Sequence, residues 1–430
     1  MQNKKNTSVA SPSTFRRWLV VMSAALLFFY AFFQINMLNS VDVELMHAFS
    51  INAAQLGTLS SMYFYANFLM VFPAGLLLDR FSTRKLILLA MIVAVISMFG
   101  FALTTNVVVA GIDRFISGLA GGFCFVGCVR LASRWFAPKH MALVIGCLVT
   151  MSMFGGMVAQ TPMELLSVAW GWRNAIIAAG CLGIVFIFII WLFVQDQPDD
   201  FSLDVKMGDD IESIGFWHSI KMVVLNRYNW LGGAYTALIN LPVFLLGALW
   251  GNMYLVQVEN LTGSQASYVI TMLFFGSIIG SPLAGWFSDR IGKRRLPMMI
   301  GSLLSFVVVL AIIFVAHLSI LLLLILFFLL GVVVGAQSLS YPTITELNSP
   351  VVTGSANSII SLVYMASGFI FQPLFGWLMG LNWNHVLVNN IPLYSVNDFR
   401  TAMLIMPVAF LVSFIAAYFI KETSCEVSVD

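Results

Sequence analysis

Charge is what this chain has least of. Only 9% of its 430 residues are Asp, Glu, Lys or Arg, against 60% that are hydrophobic, whereas soluble domains carry about 25% charged residues. So few charges cannot clothe a water-soluble surface, so most of the outer face must meet lipid. Metal and nucleophile chemistry is missing as well. The five histidines (His47, His140, His218, His317, His385) fall at helix ends or in loops, and the five cysteines (Cys124, Cys128, Cys147, Cys181, Cys425) show no metal or redox spacing. Cys124 and Cys128 read as small packing residues on one apolar helix face. No clustered nucleophile and base point to an embedded enzyme, and no phosphate-cradling glycine loop points to ATP-driven pumping. No cofactor and no metal is expected. The net charge of +2 says nothing by itself of nucleic acid, and no such partner is expected. No cleavable signal is evident, because the apolar run after Arg16 and Arg17 is too long for one and lacks a small-residue cleavage site.

What is present is a series of long apolar runs. A spanning helix needs about 20 mostly apolar residues. Division at turn residues and charges predicts twelve: 18–40, 53–78, 86–105, 108–133, 141–167, 172–194, 229–257, 265–288, 297–317, 319–343, 352–380 and 400–420. Lys and Arg crowd one side: Lys4, Lys5, Arg16 and Arg17 before helix 1, then Arg80, Arg84 and Lys85, then Arg134 and Lys139. They continue with Lys206, Lys221 and Arg227, then Arg290, Lys293, Arg294 and Arg295, and finally Lys421. The other side has essentially Arg173 and Arg400. This asymmetry predicts both termini in the cytoplasm. Around Gln195 to Arg227 the composition turns polar, with seven acidic residues from Asp196 to Glu212. The expected organisation is a tail 1–17, a six-helix bundle 18–194, a linker 195–227, a second six-helix bundle 228–421 and a tail 422–430.

The two bundles are related by an internal repeat. Gly75-Leu-Leu-Leu-Asp79-Arg80-Phe-Ser-Thr-Arg84-Lys85 lies between helices 2 and 3, and Gly285-Trp-Phe-Ser-Asp289-Arg290-Ile-Gly-Lys-Arg294-Arg295 between helices 8 and 9. A shift of 210 relates every matched position, and it also pairs Gln55 with Gln265 and Ala74 with Ala284. Gln160-Thr-Pro162 in helix 5 pairs with Gln372-Pro373 in helix 11 at nearly the same shift. One register held across five helices indicates a duplicated half. In each loop the glycine permits close helix approach, the aspartate can accept charge-assisted hydrogen bonds, and the basic residues face an anionic leaflet. Two copies at one register suggest a conformational latch: Gly75, Asp79, Arg80 and Arg84 with Arg130, and Gly285, Asp289, Arg290 and Arg294.

The pattern G-x-x-x-D-R-x-G-x-R-(R/K), complete in the second copy and with Ser82 in place of glycine in the first, resembles the signature of the major facilitator superfamily. Arg114-Phe-Ile-Ser-Gly118, Arg134-Trp135-Phe136 and Gly171-Trp172-Arg173 resemble further elements of that family. Thr150-Met151 stand where drug exporters of the family carry Gly-Pro, which weighs against export. The run from Tyr63 to Phe81, with Leu45-Met46 and Gln55-Leu56-Gly57 before it, is similar to helix 2 of the bacterial phagosomal transporters, importers of amino acids or nucleosides. The resemblance implies an all-α integral membrane protein of twelve helices in two pseudo-symmetric bundles. It implies a monomeric secondary transporter in the bacterial inner membrane that takes in a small nutrient, an amino acid first, with protons as the coupling ion. Nucleosides, peptides, organic anions and drug export are the alternatives.

Helices 1, 4, 7 and 10 line the cavity in that family. The polar candidates there are Gln34 and Asn36, with Asn39, on helix 1, Arg114 on helix 4, Asn240 and Trp250, with Asn252, on helix 7, and Gln337 and Tyr341 on helix 10. Hydrogen bonding between helices is the plainer role for each. Arg114 lies several residues inside its helix, where an ionised group must face a polar interior or a counter-ion. It could clamp a substrate carboxylate or phosphate in two-pronged fashion, or pair with Asp113 or a helix-1 group. Arg130 lies about 160° around the same helix, near its cytoplasmic end, where it can snorkel or, as the favoured latch role, pair with Asp79. Asp113 and Glu164 are the coupling candidates, with Asp42 and Glu44 expected as exposed helix-end residues.

Overall fold

The computed structural model describes residues 13–136, 140–197, 216–315, 318–349, 352–381, 383–384, 386–388 and 391–424. Among the described residues the regular structure is helical but for one hairpin, Leu387–Val388 against Ile391–Pro392. Eleven described helices are long and apolar enough to cross a membrane: Thr14–Ser40, Ala53–Leu78, Thr83–Leu103, Val107–Trp135, Leu143–Trp170, Trp172–Phe193, Gly263–Ile291, Arg295–Phe314, Ile320–Glu346, Thr353–Gly380 and Val396–Phe419. A twelfth span is a broken pair, Arg227–Ile239 and Val243–Gln257, bent by 42°. These are helices 1 to 6, 8 to 12 and 7 respectively, and the protein is a multi-pass membrane protein. The segments 137–139, 198–215 and 425–430, which hold Lys139, Lys206 and Cys425, lie outside the described residues, as do His317 and His385.

Local chemistry explains the helix ends. Helix 2 starts with a capping box, Asn52 and Gln55 exchanging backbone and side-chain hydrogen bonds at 3.0 Å. Helix 8 starts with the same device made from Thr262 and Gln265. Both pairs obey the shift of 210, so the repeat extends to the way helices begin. The third helix of each half starts against an acid from just beyond the sixth. Asp196 accepts from the Arg84 backbone N–H at 2.8 Å and from the Ser82 hydroxyl, and Glu422 accepts from the backbone N–H groups of Arg294 at 2.7 Å and Arg295 at 3.1 Å. A carboxylate there satisfies donors that a first helical turn leaves unpaired.

Helix 7 breaks because Pro242 lacks an N–H and crowds the preceding turn, and Val243–Trp250 winds as a π-helix. The disturbed carbonyls need outside donors. Gln160 of helix 5 donates to Gly247 O at 2.9 Å, and Gln372 of helix 11 to Phe244 O at 2.9 Å. The glutamines matched by the repeat thus do matching work on one broken helix.

The two halves meet at the end of the molecule away from the termini, here called distal. There Gly57 of helix 2 backs onto helix 11, where an added Cβ would lie 2.8 Å from Gln372 O, and one on Gly376 would lie 2.6 Å from Ala53 O. Tyr65 stacks on Phe369 at 4.4 Å, and the Thr161 and Thr271 hydroxyls meet at 2.9 Å. Toward the terminal end the same helices stand clear. A Cβ on Gly75, Gly146, Gly285 or Gly354, on helices 2, 5, 8 and 11, would meet nothing within 4 Å. Further hydrogen bonds between halves at this end run from the Ala53 N–H to the Tyr394 hydroxyl at 3.0 Å and from the Asn252 N–H to Asn39 at 3.0 Å.

Candidate functional site

Arg114 sits in the eighth position of helix 4 and is buried to 1% exposure. Its Nη1 donates to the Gln34 carbonyl of helix 1 at 2.5 Å, and the guanidinium lies 5.3 Å from the Tyr63 ring centre of helix 2. Nε and Nη2 have no hydrogen-bond partner among the described residues. Of the two structural partners expected for it, the helix-1 group is found. Asp113 is not a partner, because it turns to helix 3, where a Cβ on Gly100 would lie 2.5 Å from its Oδ1. Gln34 donates to Ala94 O at 2.9 Å and keeps its Oε1 unpaired. Asn36 donates to Phe32 O at 2.6 Å and also has an unpaired oxygen. Helices 1, 2 and 4 therefore hold a cationic fork, and helix 1 carries spare polar atoms of its own.

Across the seam the candidates are also incompletely paired. Asn240, at the break of helix 7, is fully buried near the Tyr364 hydroxyl, and Trp250 stacks on Phe375 at 5.7 Å with its N–H unpaired among the described residues. Gln337 is buried in helix 10, and one turn on, Tyr341 faces Phe125 of helix 4 at 6.4 Å. The rings of Phe64, Phe244 and Tyr364 form a chain across the two halves, with centres 4.8 and 4.7 Å apart. A buried polar atom without a partner is costly, so each of these atoms is a point where a polar guest could be received. Tyr63, Phe64 and Tyr364 were not among the expected cavity residues. Tyrosine and phenylalanine in an apolar run carry no sign of which way they face.

The distal seam holds the surprise. Asp42 is not the exposed helix-end residue expected: it is fully buried, because the short helix Asp42–Phe49 folds back beneath helix 7. Its carboxylate accepts from the Val43 N–H at 2.7 Å, from the Met253 N–H at 3.1 Å and from the Asn252 amide at 3.5 Å. Glu44 is half-buried rather than exposed. Glu164 is 6% exposed in the first turn of the distal part of helix 5, with its carboxylate against Gly263 of helix 8. Burial first, then the charges of Glu44 and Glu164, push the Asp42 carboxyl well above the usual range, and the Val43 and Asn252 donors pull it back only in part. Burial raises Glu44 likewise.

The repeated loops sit at the terminal end. In the second half Arg294 donates to Asp289 Oδ1 at 2.5 Å and to Glu346 Oε1 at 2.9 Å, while Arg290 lies over the Trp286 ring. In the first half Arg84 donates to Trp191 O at 2.6 Å, Arg80 is exposed, and Arg130 is half-buried near the end of helix 4. The Asp79 side chain, its expected partner, lies outside the described residues. Glu346 and Glu422 were missed as partners of the loop, since helix-end acids look alike in sequence.

The Major Facilitator Superfamily model matches residues 24–258 and 235–427, nearly the whole chain. This chain belongs to that superfamily. A solved bacterial homolog of the human lysosomal transporter Spinster, in an inward-facing and unoccupied conformation, shares the fold with a TM-score of 0.77 at 19% identity, covering 97% of this chain and 100% of that one. The membrane sensor protein UhpC of Escherichia coli K12 is 24% identical over 62% of this chain and 64% of its own length, so the chain spans less than two thirds of that relative. The probable galactarate/D-glucarate transporter GudP of the same organism is 25% identical over 70% of this chain and 74% of its own.

Proposed function

We propose that this chain is a secondary transporter, not an enzyme, and that it moves a small organic anion across the bacterial inner membrane by alternating access. One observation carries the reading: Arg114 is buried with Nε and Nη2 unclaimed. A buried cation without a counter-ion is costly, and a cargo carboxylate supplies one in the two-pronged geometry that guanidinium favours. Gln34 and Asn36 receive the same cargo from helix 1, and Asn240, Trp250, Gln337 and Tyr341 from the second half. The galactarate and D-glucarate for which GudP is named are sugar diacids, which supports an anion. An amino acid, the cargo suggested by the resemblance to phagosomal transporters, offers one carboxylate to the same arginine and is the finer alternative.

With both termini in the cytoplasm, distal closure makes this the inward-facing state. The glycines left clear at the terminal end are then where the latch of Gly75, Asp79, Arg80, Arg84 and Arg130 with Gly285, Asp289, Arg290 and Arg294 closes in the opposite state. Protons are the coupling ion in this reading. Glu164 suits that role better than Asp113, because it lies at the seam between halves while Asp113 faces helix 3. The chain acts as a monomer.

The test is uptake into proteoliposomes with an imposed pH gradient, offering D-glucarate, galactarate, a hexose phosphate, amino acids and nucleosides. Uptake of an anion that falls at least about tenfold in Arg114→Lys, which keeps the charge but loses the fork, is expected. Equal uptake by Arg114→Ala overturns the site, and competition by nucleosides alone overturns the cargo class. The name of UhpC favours one second reading, a sensor. Binding without accumulation of any solute would decide for it.

A further inference from the structure

The mechanism above leaves unused the most deeply buried carboxylate of the distal seam. Asp42 has no exposed surface, and no cation faces it among the described residues. The groups packed around it are Glu44 on its own short helix, Glu164 from helix 5, and the Asn252 amide and Met253 N–H from helix 7. The cations of this region are engaged elsewhere. Arg173 lies over the Trp172 ring and donates to Thr104 O, and Arg400 donates to Ile313 O. His47 is exposed on the last turn of the short helix. Three carboxylates thus lie close together where the halves touch, with no cation among the described residues to balance them.

A second observation points to what binds there. Asn252 is 6% exposed, its amide lies 3.5 Å from Asp42, and its carbonyl oxygen has no donor among the described residues. A neutral Asp42 carboxyl carries an O–H that this orphan oxygen can accept once the amide turns over. The ionised form has no such use for it. Asn39 ties the same place together, taking the Asn252 N–H at 3.0 Å while donating to Gln160 at 2.8 Å. Any rocking that parts the halves distally must separate Asp42 from Asn252 and Met253 and admit water.

We propose that Asp42 is a proton-binding site of the distal gate, taking up a proton when helices 1 and 7 close over it and giving it back when they part. The sign follows from linkage. A carboxyl whose proton affinity is higher in the closed, buried state than in the open, hydrated one makes closure bind a proton, so acid favours the closed gate and base opens it. For an importer this has a use: a proton from the acidic outer side permits the outer gate to shut behind the cargo. The proposal rests on the transporter reading for the naming of sides, but not for its test.

Spin labels at Val108→Cys and Leu321→Cys, exposed positions at the distal ends of helices 4 and 10, with the native cysteines replaced by serine, report the gate in liposomes without any cargo. The expected result is a short-distance population that grows as pH falls, the ratio of closed to open changing by at most about tenfold per pH unit for one proton. Asp42→Asn keeps the shape without the charge and should stay closed at every pH. Glu164→Gln and Glu44→Gln should keep the titration but move its midpoint to lower pH, because each removes a like charge. Should Asp42→Asn not fold, those two variants still decide. A wild-type distance indifferent to pH, an Asp42→Asn variant that titrates like wild type, or midpoints unmoved by both glutamate changes overturns the proposal. Failure to find a transported solute would count against the proposed function and leave this titration standing.

Discussion

At the scale of single residues, the molecule is organised by polar side chains that answer for broken backbone. Gln160 is the busiest: its amide donates to Gly247 O at 2.9 Å and Asn36 O at 3.3 Å, and its oxygen accepts from Asn39 at 2.8 Å. It binds helices 1, 5 and 7 at one point. Gln160→Leu keeps the bulk and removes these three bonds together with a longer one to Gly156 O at 3.5 Å, leaving buried groups unpaired at about 1–3 kcal/mol each. The purified protein should melt at a clearly lower temperature, and an unchanged melting curve would show that the break of helix 7 finds other partners. Gln372→Leu should cost less, since it has a single such bond. Both glutamines were visible in the sequence as a matched pair, but their common target was not. Nothing in a linear pattern shows which carbonyls a proline will set free.

At the scale of elements, glycine placement separates the two conformations. Gly57 is tight in this state, and Gly75, on the same helix, is not. Gly57→Leu should therefore force helices 2 and 11 apart distally and lengthen the distance between the Val108 and Leu321 labels. Gly75→Leu should leave that distance alone and hinder the opposite closure, so that the protein remains as it is here. Both substitutions slow transport, but the label distances should differ in direction. Equal distance changes would mean that the helices do not rock as rigid bodies. The helix spans themselves were largely legible, because a run of about 20 apolar residues has few other uses. Their edges moved where caps decide: helix 1 begins at Thr14 because the Ser13 hydroxyl accepts the Arg16 N–H, four residues before the apolar run.

At the scale of the whole molecule, the repeat commits the Asp79 and Asp289 loops to one face. Single cysteines at Ser82 and Gly292 should both react with an impermeant maleimide only from the cytoplasmic side. Reaction from opposite sides would end the two-bundle arrangement and the transport reading with it. The latch network of the second half makes a further demand. Arg294 joins Asp289, Glu346 and, through its backbone, Glu422. Arg294→Gln leaves the buried Glu346 with less compensation, so it should destabilise more than Arg290→Gln, whose arginine rests over Trp286. Thermal melts of the two variants test the order.

The sequence by itself determined class and repetition. Scarce charge excludes a soluble surface, apolar length counts the helices, and a shift of 210 pairs the halves, because each of these is a one-dimensional property. It also named Arg114, since a charge within an apolar run is conspicuous wherever it falls. Tertiary structure alone decided what each polar group faces. It turned Asp113 away from Arg114 and toward Gly100, set Tyr63 over the guanidinium, and drew Asp42 from an expected surface into the seam. Burial and partnership depend on which helices touch, and that contact is made between residues far apart along the chain.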